Sequence, residues 1–65
     1  MKINVHKITV ILAEKEMTRS IFAAQSGVSR QSVSTILTRG TCEPKTAGKL
    51  AKALGVDVAE IIKEE

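Results

Sequence analysis

The sequence predicts an all-α fold of five short helices packed as one compact domain over residues 1–65. Apolar residues recur at helical spacing through most of the chain. Gly27, Gly40, Pro44, Gly48 and Gly55 punctuate those stretches at intervals that suit short helices. No alternating run of the strand type occurs outside Met1 to Val5.

Helix 1 is expected over about 4–16. Asn4 is a suitable N-cap, and Val5, Ile8 and Leu12 fall at i, i+3 and i+7 with Ile11 beside them. Val10 lies off that stripe, so either the helix is apolar on two faces or Val10 meets a partner. Thr18 caps a second helix over 19–26, with Ile21, Phe22 and Ala23 as its apolar content. Gly27 then supplies a position where positive φ is cheap. Ser29 caps helix 3 over 30–38, which carries Val33, Ile36 and Leu37. Pro44 stands before helix 4 (45–54), whose buried stripe is Ala47, Leu50, Ala51 and Leu54. Gly55 has the position of a C′ cap. Asp57 and Glu60 form a pair like a capping box before a last helix over 58–63.

Composition removes several function classes. The chain has 65 residues, 43% of them hydrophobic, which suits one small core and not a disordered tail. With one Cys and one His, neither an internal disulfide nor a zinc site can be assembled. No metal or cofactor is expected, and no enzyme, because His6, Cys42 and Asp57 are too scattered for a nucleophile–base pair. Phe22 is the sole aromatic, which argues against a base-stacking surface for single strands. Apolar runs such as Val10 to Ala13 are far short of the roughly 20 residues that span a bilayer. His6, Lys7, Thr9 and Glu14 interrupt any signal-peptide core. A lone Cys without a leader points to a reducing cytoplasm.

Charge is unevenly placed. The net charge is +3. Residues 17–56 hold Arg19, Arg30, Arg39, Lys45, Lys49 and Lys52 against Glu43 alone, whereas residues 57–65 hold Asp57, Glu60, Glu64 and Glu65 against Lys63. Ordinary solvation accounts for Lys2, Lys7, Lys15 and Lys63. Lys49 and Lys52 belong to the outer face of helix 4. Glu64 and Glu65 read as a frayed end directed away from any anion. Cys42 beside Glu43 should have a raised pKa and little reactivity.

The informative stretch is Thr18 to Ile36. Two short helices are joined by Ser26, Gly27 and Val28; Ala23 stands four residues before the Gly and Val33 six after it. Two helices crossing steeply through a tight turn need a Gly at the bend. They also need a small residue at their close approach, and apolar anchors (Phe22, Val28, Val33, Ile36) to hold the angle. What remains outward on helix 3 is Arg30, Gln31, Ser32, Ser34 and Thr35, with no acid among them. Such a face suits the major groove: Gln pairs with adenine, Arg with guanine, and Ser or Thr with either.

These residues resemble the Cro/repressor-type helix-turn-helix family, also called XRE-like or lambda-repressor-like. The likeness runs from about Asn4 to Ile62 and rests on MTRSIFAAQSGVSRQSVSTIL (Met17–Leu37) and PKTAGKLAKALGVDVAEII (Pro44–Ile62). It implies a five-helix domain that binds operator DNA as a symmetric dimer. Carried over by position, Arg30, Gln31, Ser32 and Thr35 are implied base-contacting residues. Thr18, Arg19, Ser29, Thr38, Arg39, Thr41 and Lys45 are implied to lie along the DNA backbone. Val56, Val58 and Ile62 share two tasks, closing the core over helix 4 and forming the dimer contact, which in this family lies near that end. Three departures stand out. Arg19 replaces a common Gln, Leu12 and Leu37 replace an Arg–Glu pair, and the loop Gly falls one residue late at Gly40.

The expected function is therefore a sequence-specific double-stranded DNA-binding regulator, repressor-like, acting as a homodimer on a palindromic operator. A small apolar patch also allows a dimer that forms only on DNA. With no second domain, regulation would come from abundance, dimerisation or a partner protein. Two other classes compete with this one. An antitoxin would repress its own operon and bind a co-transcribed toxin. A protein-interaction module would fail to bind DNA and would bind protein through an apolar surface.

Overall fold

A computed structural model of the chain describes residues 1–63. Four helices appear in order: α1 (Val5–Glu14), α2 (Arg19–Ser26), α3 (Arg30–Arg39) and α4 (Pro44–Leu54). α2 sits at the centre and packs on both α3 and α4. Local signals set most boundaries. The Asn4 side chain accepts from the Lys7 amide at 3.0 Å, and Thr18 and Ser29 accept in the same way from Ile21 and Ser32. Gly27, Gly40 and Gly55 end their helices in the left-handed region, where a Cβ would be strained. Pro44 is itself the first residue of α4, one earlier than expected, with Glu43 in the cap position.

The expected fifth helix over 58–63 does not form. A single 3₁₀ turn, Val58–Glu60, takes its place. Asp57 keeps its capping role, and only Glu60 is used elsewhere. Asp57 accepts from the Ala59 amide, while the Glu60 carboxylate reaches Lys7 on α1 at 3.0 Å. Ile61 still lies in the turn (φ −110°, ψ 1°), and Ile62 and Lys63 then run antiparallel to residues 2 and 3. Asn4 N–H donates to Ile61 O at 2.7 Å and Lys63 N–H to Lys2 O at 3.1 Å. Those backbone groups cannot also close a helix.

The same pairing uses the one alternating stretch of the sequence. Ile3 N–H donates to Gly40 O and Cys42 N–H to Met1 O, so residues 1–4 lie between the α3–α4 loop and the C-terminal segment. Isolated antiparallel bridges link Lys2 to Thr41 and Ile3 to Ile62. Ile3 and Ile61 enter the core from this ribbon, joining Ile8, Leu12, Phe22, Ala23, Val33, Leu37, Leu50, Ala51 and Leu54. Leu12 and Leu37 are both buried in that cluster. Ile21, by contrast, faces outward, as does Val10.

α1 ends at Glu14, short of the expected Glu16, because Glu16 turns left-handed (φ 54°), the sole non-glycine residue to do so among the described residues. Its amide donates to Ala13 O and the Met17 amide to Leu12 O, which closes the helix. An L side chain pays about 1–2 kcal/mol for that conformation, and glycine returns part of the gain as chain entropy. Glu16→Gly should therefore stabilise the fold by about 0.5–1 kcal/mol in urea denaturation. A loss of stability would mean that contacts of the Glu16 side chain outweigh the strain.

Candidate nucleic-acid interface

α2, the Gly27 turn and α3 form a helix-turn-helix. The turn is held from within: buried Ser26 donates through Oγ to Ala23 O and accepts from the Val28 amide. The Gly27 amide also bonds to Ala23 O. Val33 and Leu37 bury one side of α3, while Arg30, Gln31, Ser32, Thr35, Thr38 and Arg39 are exposed. Ser34, expected outward, is half-buried. Neither α2 nor α3 carries an acidic residue.

The hydroxyl groups on this face are already partly committed. Ser29 Oγ accepts from the Ser32 amide and donates to Ser32 Oγ at 2.8 Å. Thr35 Oγ1 donates back to Gln31 O, and Thr38 Oγ1 to Ser34 O. These hydroxyls keep lone pairs for a ligand, and Thr35 keeps its methyl group. Among the described residues nothing bonds the Gln31 amide or the Arg30 guanidinium, so the two longest side chains at the start of α3 keep their full donor sets.

Gln31, Ser32, Thr35 and Arg39 form one wall of a groove of about 770 Å³; Thr41, Glu43 and Thr46 stand on the other side, with Met1. Thr18 and Arg19 lie at the exposed start of α2, and Lys45 in the first turn of α4, outside that lining. Met1, Glu43 and Thr46 are additions that sequence reasoning did not supply. The alternating run at the N-terminus hints at a strand but says nothing of where it docks. Cys42, also in the lining, has its thiol pKa pushed up, first by burial and further by the Glu43 carboxylate, against the opposing pull of the Met1 ammonium. Burial thus leads over the neighbouring charge. Val56, Val58 and Ile62 are each half-buried; Val56 and Val58 pack against the core, and Ile62 pairs through its backbone with Ile3. Glu64 and Glu65 lie outside the described residues. Among the described residues no helix is long and apolar enough to cross a membrane, and no group of His, Cys, Asp and Glu is placed to hold a metal ion.

Residues 7–65 match the sequence model of a family described as Cro/C1-type HTH DNA-binding domain. No curated protein and no solved structure matches the chain significantly.

Proposed function

The chain belongs to the Cro/C1-type HTH DNA-binding family, and from that premise we propose that it is a sequence-specific regulator that binds duplex DNA with α3 in the major groove. One observation supports this reading above the others. α3 holds an exposed, acid-free row of Arg30, Gln31, Ser32 and Thr35 on a helix whose opposite side is locked into the core. Rigid placement of such side chains is what direct readout needs. Arg30 and Gln31 choose bases; Ser32 and Thr35 supply shorter contacts. Thr18, Arg19, Ser29, Thr38, Arg39, Thr41 and Lys45 contact the backbone, which sets position and salt dependence.

The protein acts as a homodimer on a palindromic operator, with half-sites roughly 34 Å apart. Val56, Val58 and Ile62 supply the dimer contact through the apolar surface each leaves uncovered. Repression follows if the operator overlaps a promoter.

Selection of bound sites from a random duplex pool at physiological salt tests the proposal. A two-fold symmetric motif is expected. Bulk, salt-sensitive binding without an enriched motif would overturn it. Arg19→Ala should weaken binding to all sequences alike and lower the slope of log K against log salt by about 0.9. An unchanged slope would remove Arg19 from the phosphate contacts.

A further inference from the structure

Residues 17–56 carry a single acid, Glu43, and the fold places it in the groove fronted by α3. Gln31, Ser32, Thr35 and Arg39 form the opposite wall. Glu43 is exposed. Its carboxylate bonds nothing among the described residues: it makes no cap bond to α4 and no ion pair with Arg39. The other residues in N-cap positions, Asn4, Thr18, Ser29 and Asp57, each accept from a backbone amide through their side chains.

The N-terminus of α4 favours a carboxylate beside it by about 0.3–1 kcal/mol through the helix dipole. That accounts for an acid in the free protein, but it leaves a full negative charge standing in the groove. Such a charge opposes a polyanion. Thr41 and Lys45 flank Glu43 in the chain, and the proposed function sets both along the DNA backbone. Phosphates drawn to them and to Arg39 enter the field of Glu43, which reaches about 10 Å at 0.1 M salt. Like charges brought together in this way cost affinity.

We propose that Glu43 limits the affinity of the protein for duplex DNA, its carboxylate repelling the phosphates that Arg39, Thr41 and Lys45 attract. The proposal rests on the DNA-binding reading above and concerns the same face. The repulsion is independent of sequence, because every duplex presents phosphates. It raises the protein concentration at which unselected DNA begins to bind. Below that concentration only a duplex that satisfies Arg30 and Gln31 holds the protein. An unpaired charge set against unwanted partners is a common device of specificity.

The test varies the charge at position 43 with Glu43→Gln and Glu43→Lys. Glu14→Gln serves as control, since it removes the same charge from the exposed end of α1, outside the groove lining. Affinity for a fluorescein-labelled, mixed-sequence duplex is measured by anisotropy at about 50 and about 200 mM salt. Thermal melting confirms that each variant is folded. Glu43→Gln should bind about 3–10-fold more tightly at the lower salt, and Glu43→Lys about 10–100-fold. Both gains should shrink at the higher salt, where screening is stronger. Glu14→Gln should stay within about twofold of the unsubstituted protein. If Glu14→Gln gains as much as Glu43→Gln, net charge alone governs binding and the proposal fails. If Glu43→Gln binds no better than the unsubstituted protein, the carboxylate lies clear of the phosphates and the proposal fails. If it binds more weakly, the carboxylate accepts a bond from the DNA, and the proposal fails equally. Absence of duplex binding by every form brings down the DNA reading and this role with it. Binding that is indifferent to position 43 brings down the role of Glu43 alone.

Discussion

Ile61→Ala should destabilise the fold by about 2–5 kcal/mol, a loss comparable to the whole stability of a domain this small, on the order of 3–10 kcal/mol. Ile61 is completely buried, and the chain on either side of it is held by backbone bonds that leave little room for collapse. Ile61 N–H donates to Val58 O, and Ile61 O accepts from Asn4. Truncation removes apolar contacts and leaves a void where α4, the 3₁₀ turn and the N-terminal segment converge. A fall in Tm of about 10 °C or more is expected by circular dichroism. Ile62→Ala is the matched control, since Ile62 is only half-buried and should cost no more than about 1.5 kcal/mol. A larger loss from Ile62 than from Ile61 would mean that the C-terminal segment faces the core with the opposite register.

Gln31→Ala should cost about 1–3 kcal/mol at one operator base pair, a loss of roughly 5- to 150-fold in affinity, and should relax the preference at that pair alone. Donor and acceptor supply on the side chain sets this expectation. Gln31 is exposed on the first turn of α3, its amide bonds nothing among the described residues, and it lines the groove with Thr35 and Arg39. A free primary amide presents a donor and an acceptor side by side, the pattern that adenine completes in the major groove. Binding to the operator and to each of its single-base variants, measured for Gln31→Ala and the unsubstituted protein, separates readout from mere affinity. An equal loss on every variant would make Gln31 a backbone contact. Stability should change little, since Gln31 is exposed and is not a member of the core cluster.

The helices were legible because their causes are local. Asn4, Thr18 and Ser29 cap the first three; Gly27, Gly40 and Gly55 end three of the four, and all of these signals act within a few residues. The stripe of Ala47, Leu50, Ala51 and Leu54 on α4 was equally plain, and all four are buried. Of the outward residues that helical period gives for α3, Arg30, Gln31, Ser32 and Thr35 are exposed and Ser34 is half-buried. The family match over residues 7–65 agrees with the motifs read between Met17 and Ile62.

What could not be read was decided by pairing between distant segments. A capping-box pattern at Asp57 argues for a helix, yet backbone bonds that tie residues 61 and 63 to residues 4 and 2 take the chain off the helical path after one 3₁₀ turn. The short alternating run Met1 to Val5 is a weak strand signal with no partner visible nearby in sequence. Its partners, 40–42 and 61–63, lie tens of residues away. Helical period and capping are properties of a few neighbouring residues, so composition and spacing carry them. Strand pairing closes long loops and exists only when the core has brought the ends together. That is why the four helices and the outward face of α3 could be inferred from the amino acids alone. The placing of Glu43 across a groove from Gln31, and the burial of Ile3 and Ile61, belong to the folded molecule.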